Sequence, residues 1–183
     1  MRPLLCIVPV AMTAALAGCH TEIHSGSGGI NLGDDMVTLE RRGGPPAHVT
    51  RDGRLTVGDT PVTVSAQQQA ELVTLYNAAQ QIKQHGLQTG KAGAAVGLAA
   101  AQEALDGIAK GDTSQIGAKV EAQADQVRVA AGKICDDLAA VRQTQQALAA
   151  SLEAFRPYVS VSEDDVSRCA RETQPKAGGS PAP

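Results

Sequence analysis

Cysteine and histidine have the widest chemical repertoire in this 183-residue chain, and there are four of each: Cys6, Cys19, Cys135 and Cys169, and His20, His24, His48 and His85. Neither set has zinc-site spacing, which needs close pairs of ligands with further groups nearby. His20 and His24 stand four apart, but a Gly/Ser-rich stretch will not hold the helix that would align them, and no third ligand follows. His48 falls in a strand pattern and His85 near a helix end, where a cation suits the dipole. GLQTGKAG (86–93) imitates a phosphate loop, but three residues rather than four separate Gly86 from Gly90-Lys91, and Ala92 replaces the magnesium-binding Ser/Thr. Asp136-Asp137 and Glu163-Asp164-Asp165 are adjacent acids that point to different sides of a helix; the second set suits a first turn capped by Ser162. There is no G-x-S-x-G elbow and no H-E-x-x-H pair. The reading is therefore not an enzyme, with no catalytic, cofactor, metal or nucleotide site expected.

Cys19 has a different context. Arg2 and the apolar run from Leu4 to Leu16 read as a secretion signal rather than a span, because the apolar character ends at Cys19 and His20, Thr21 and Glu22 follow. Leu16-Ala17-Gly18-Cys19 resembles the lipobox of bacterial lipoproteins, in which the cysteine sulfur is alkylated by a diacylglycerol and the preceding peptide is removed. The resemblance implies a signal peptide over 1–18, acylation (palmitate-type chains) of Cys19, and anchoring in a lipid bilayer through that residue. His20, in place of the aspartate that retains lipoproteins at the inner membrane, implies the outer membrane, facing the periplasm.

With Cys6 lost and Cys19 acylated, Cys135 and Cys169 are left in a compartment that oxidises dithiols, so a disulfide is expected. A helix running from Cys135 to Pro157 would be about 33 Å long, and the chain must return that distance by Cys169. Bridge and full C-terminal helix then compete, and the alternating Val159 and Val161 favour an extended return.

Composition narrows the partners. Loss of Arg2 leaves 15 basic against 19 acidic residues, too few and too dispersed for phosphate neutralisation, so no nucleic acid is expected. One Phe, two Tyr and no Trp provide no stacking platform. The apolar content is Ala, Val and Leu, which suits close-packed helices rather than a deep ligand pocket.

The elements follow from periodicity. Residues 19–35 read as a lipidated cysteine and flexible tether of about 20 Å reach. Residues 36–65 read as an antiparallel β-meander with turns at Asp52-Gly53, a two-residue hairpin dipeptide, and Gly58 to Pro61. Ser65 and Gln68 form a capping box that starts the helical region, 66–172. Its first helix carries Leu72, Leu75, Tyr76, Ala79 and Ile82, and Gly86 is expected to end it. A second helix, 89–110, carries a packing seam of Ala94, Leu98, Ala101, Leu105 and Ile108 beside a small-residue seam of Gly90, Gly93, Gly97, Ala100, Ala104 and Gly107. Each glycine costs about 1 kcal/mol of helix propensity, so close approach of a neighbouring helix within the chain is expected there. In the third helix Val120, Val127, Ile134, Val141, Leu148 and Phe155 repeat every seven residues, with Gly117, Ala124, Ala131, Leu138, Gln145 and Leu152 as the companion series, until Pro157 stops it. The tail, 173–183, reads as disordered.

HVTRDGRLTVGDTPVTVSAQQQAELVTLYNAAQQI, GLAAAQEALDGI and ICDDLAAVRQTQQALAASLEAFRPY together resemble the YggN-like bacterial envelope proteins, a family of unknown function. The shared features are the D-G-x-L-x-V-x-G hairpin, the A-Q-Q helix start and the C-D-D-L segment at Cys135. The resemblance implies an envelope location and no catalytic residue. The expectation is an α+β fold, a short N-terminal antiparallel meander followed by a long coiled-coil-like helical hairpin. It would act as a lipid-anchored structural or protein-interaction module with an envelope protein partner, or as an oligomer-forming lipoprotein that uses the Gly/Ala seam.

Overall fold

The computed structural model describes residues 22–25, 28–111 and 116–174. The signal segment, Cys19, His20 and the tail from residue 175 lie outside the described residues. The fold is α+β: an antiparallel sheet followed by long helices.

The sheet is a six-stranded meander in sequential order, β1 (Glu22–Ser25), β2 (Gly28–Leu32), β3 (Met36–Arg41), β4 (Ala47–Thr50), β5 (Leu55–Val57) and β6 (Thr60–Val62). Alternation places Ile30 and Leu32, Val37 and Leu39, Ala47 and Val49, and Leu55 on one buried face. Two strands thus occupy the segment read as a flexible tether. Ile30 pairs with Leu39 and Leu32 with Val37, so the apolar alternation of GINL finds a ready partner strand and outweighs the glycines around it. The turns also shift by a residue. Thr50 N–H donates to Arg54 O at 3.1 Å and Gly53 N–H to Thr50 O at 3.0 Å, which makes a three-residue loop with left-handed Gly53 (φ 76°). Gly58-Asp59 is the two-residue turn, and Thr60 and Pro61 belong to β6.

Helix α1 (Ala66–Lys110) is continuous for 45 residues, so the first and second predicted helices are one. It begins at the expected capping box, Gln68 N–H to Ser65 Oγ at 3.2 Å and Ser65 N–H to Gln68 Oε1 at 2.8 Å. Gly86 stays helical; the left-handed C-cap is Gly111, φ 68°. One helical glycine costs about 1 kcal/mol, too little to stop a helix flanked by strong formers and packed against a neighbour on both sides of the position.

Helix α2 (Ile116–Ser151) returns antiparallel and stops six residues before Pro157. A proline in the next turn lacks the N–H to continue the ladder and clashes with the carbonyl four residues back. The chain instead turns through extended Leu152 into a 3₁₀ helix, Glu153–Tyr158, that drops Phe155 and Tyr158 into the core. The last carbonyls of α2 find other donors: Arg156 Nε to Ala149 O at 3.1 Å and Gln68 Nε2 to Ser151 O at 2.7 Å. A short helix α3, Glu163–Glu172, ends the described chain.

The core lies between the sheet and the sheet-proximal halves of α1 and α2. Leu72, Leu75, Tyr76, Ala79 and Ile82 of α1 and Val141 and Leu148 of α2 are buried there with Leu152, Phe155, Tyr158 and Val161. The seven-residue series thins outward: Val141 and Leu148 are buried, whereas Ile134, at the edge of the core, and Val120 and Val127, beyond it, are half-buried.

Candidate functional site

Three features carry the chain's chemistry: the disulfide, a set of buried polar contacts, and the surface of the distal hairpin.

Cys135 on α2 and Cys169 on α3 are bridged, with Cα atoms 5.5 Å apart. The expected pairing is present; the return is extended only over 159–162, and Cys169 sits inside α3 rather than on an extended segment. Because α2 ends at Ser151, the distance to be retraced from Cys135 falls to about 24 Å. The 3₁₀ turn reverses the chain, the extended stretch 159–162 covers about 13 Å and the first turns of α3 about 9 Å, so bridge and helix coexist. Ser162 caps α3, and its hydroxyl and backbone N–H hold the Asp165 carboxyl below the ordinary aspartate range, with Arg168 adding to the effect.

Gln145, read as one member of the helical series, is fully buried and anchors this return. Its Oε1 accepts from Ser160 N–H and Val161 N–H, both at 3.1 Å, and its Nε2 donates to Ser160 Oγ at 3.2 Å. The sequence signal was there: a lone amide at an apolar heptad position must find buried partners. His85 meets Asp137 at 2.5 Å, tying α1 to α2, while Asp136 is exposed, so the adjacent acids do not converge. Tyr158, with its hydroxyl on Pro45 O at 2.8 Å, stacks beneath the Arg41 guanidinium, 5.7 Å from the ring centre. The open cleft there, about 400 Å³, is lined by Arg41, Pro45, Val57, Val62, Pro157 and Tyr158 and brings together no acid, base or nucleophile pair. GLQTGKAG lies within α1 and forms no loop.

The distal hairpin inverts the predicted seams. Fusion of the two helices fixes the phase of residues 89–110 to that of the core-facing residues, so Ala92, Val96, Ala99, Ala100, Glu103 and Ala104 turn toward α2, with Gly107 buried. Leu98, Leu105 and Ile108, expected in the seam, lie about half a turn away and are 69%, 69% and 72% exposed. Leu87 lies on the same outer edge, 54% exposed. The small-residue seam divides: Ala100, Ala104 and Gly107 lie on the side turned to α2, whereas Gly90 and Gly97 are exposed and Gly93 is half-buried. A methyl group added at Gly90, Gly93 or Gly97 would meet nothing within 4 Å, so no intramolecular close approach explains these glycines. Lys119 on α2 reaches Glu103 at 3.8 Å, and a shallow Ala-lined groove runs between the helices.

Among the described residues no helix is long and apolar enough to cross a membrane, and no three potential ligands gather around a metal position. No family model, curated protein or solved structure matches the chain.

Proposed function

We propose that the protein is a lipid-anchored envelope module that works by association rather than catalysis, and that it associates with a second copy of itself through the outer edge of α1. The carrying observation is the exposed series Leu87, Lys91, Ala94, Leu98, Ala101, Leu105 and Ile108, spaced in alternating fours and threes over about 32 Å of helix and apolar at every position but Lys91. This is the pattern of a coiled-coil seam, and within the chain it faces away from α2.

The series favours its own kind. Leucine and alanine alternate at Ala94, Leu98, Ala101 and Leu105, so an antiparallel copy sets Leu98 against Ala101 and Ala94 against Leu105, large against small in these central layers, while Ile108 meets the aliphatic stem of Lys91. The flanking positions, Ala95, Gly97, Gln102, Ala104 and Ala109, are small or neutral and permit close approach. The open space at Gly90, Gly93 and Gly97 gives these costly helix residues a use only in such an assembly. A footprint of about 32 by 10 Å is smaller than the roughly 800 Å² per partner of a stable soluble dimer. The contact is therefore weak in solution and depends on two-dimensional concentration.

The lipobox-like Leu16 to Cys19 supplies that concentration, and the likeness to envelope proteins of the YggN type agrees with the location. Cys19 precedes β1 by three residues, an extended reach of about 10 Å, so the sheet would rest near the outer-membrane surface. An antiparallel pair then has its two-fold axis along the membrane normal, with both hairpins along the surface.

Crosslinking in cells and sedimentation of the detergent-extracted protein test the reading, with intact mass measured on the same sample. An acylated chain beginning at Cys19, dimeric on vesicles and monomeric when Leu98→Asp and Leu105→Asp are combined, is expected. An unmodified N-terminus removes the anchor; a dimer indifferent to both aspartates removes the interface.

A further inference from the structure

The return from the 3₁₀ turn to the end of the described chain has two regimes, divided at Ser162. Up to that point the chain is held by buried groups: Val161 is 4% exposed, and Gln145 takes the backbone N–H groups of Ser160 and Val161. Beyond it, α3 buries none of its residues. Its non-covalent holds are half-buried Val166 against the core, the pair of Glu163 with Arg142 at 2.8 Å, and Thr173 Oγ1 3.5 Å from the Cys135 sulfur. A 10-residue helix without a buried face is marginal in water. The disulfide joins this helix to α2 at a cysteine that is itself 5% exposed.

We infer that the Cys135–Cys169 bond is a redox latch: its reduction releases α3 from α2 and leaves the sheet and hairpin folded. The chemistry is exchange with a dithiol. A thiolate of the reductant attacks Sγ of Cys169, the less buried of the two residues, forming a mixed disulfide while Cys135 leaves as thiolate and takes a proton. The second thiol of the reductant, as thiolate, displaces Cys169, which is protonated in turn. Two electrons pass to the protein, and the reductant ends as its own disulfide. Release uncovers Cys135 and frees Arg142, the α2 positions that α3 and its cap hold, on a face of α2 that is closed to partners while the bond stands. The segment before Ser162 stays in place because none of its anchors involves sulfur.

The test is hydrogen exchange by mass spectrometry on the full chain, with the bond intact and after excess dithiothreitol, alongside a Cys169→Ser variant that needs no reductant. Peptides from 163–173 are expected to exchange about tenfold faster or more once the bond is gone, while peptides from 72–82 and 141–148 keep their protection. Trypsin should then cut after Arg168 and Arg171, and Cys135 of the variant should react readily with a maleimide. Unchanged protection of 163–173 in both the reduced protein and Cys169→Ser would overturn the latch by showing that α3 is held without the bond. Loss of protection across 72–82 and 141–148 would overturn it by showing that the bond holds the whole domain.

Discussion

Replacing Gln145 with Leu tests whether one buried amide holds the return of the chain. The leucine fits the space and adds apolar area, but it removes the acceptor of Ser160 N–H and Val161 N–H, residues only 5% and 4% exposed. Each buried donor left without a partner costs about 1–3 kcal/mol. The apolar gain of leucine over an amide offsets about 1.5–2 kcal/mol of that, leaving a net loss of about 2–3 kcal/mol. For a domain of this size the melting temperature should fall by roughly 5–10 °C. Thermal unfolding followed by far-ultraviolet circular dichroism, with the disulfide intact, gives the value. Gln143→Leu, an exposed neighbour on α2, is the control and should stay within about 0.5 kcal/mol of the parent. If Gln145→Leu melts at or above the parent temperature, the amide is not the anchor and the reasoning fails.

Gly93→Ala and Gly97→Ala should each raise the stability of the monomer by about 0.5–1 kcal/mol in urea titrations, because both are helical and an added methyl meets nothing; a loss would mean a neighbour the structure does not place there. Val141→Asp should abolish cooperative melting, since it puts an unpaired carboxylate at a fully buried position, whereas half-buried Ile134→Asp should leave a weakened but cooperative transition. The Asp165 carboxyl, held down by Ser162, stabilises the start of α3 above the ordinary aspartate range and ceases to do so as pH falls through its lowered value. Carboxyl NMR should therefore place its titration below that of an unperturbed aspartate, and a midpoint at or above the unperturbed one would contradict the cap.

The meander and the capped start of α1 were legible because they rest on local signals: Val37, Leu39, Val49 and Leu55 alternate, and Ser65 and Gln68 satisfy each other. Strands β1 and β2 are hidden by glycine and serine, although Ile30 and Leu32 alternate; the composition points to coil, and the pairing that β3 offers overrides it. The error at Gly86 had the larger consequence. A break there would let the following helix choose its own rotation, and the apolar set at Leu98, Leu105 and Ile108 would take the inside. Continuity gives it the phase set by Leu75 and Ile82, so the inside goes to Val96 and its alanine neighbours. The disulfide was legible by elimination of the other thiols, but its geometry depended on where α2 ends. Gln145 could have been singled out by its polarity at a core position; its partners, fifteen residues on, could not be read before the turn was known.

The central claim is that the outer edge of α1 pairs with an antiparallel second copy. A photo-reactive benzophenone side chain at exposed Gln102, beside the stripe, tests it directly in membranes that hold the protein. Crosslinked peptides should join position 102 to the turn around Ala95 to Ala99 of another copy, because the register that opposes Leu98 to Ala101 puts those residues side by side. Crosslinks between position 102 and its own counterpart, crosslinks only to other proteins, or no crosslink at all would contradict the account.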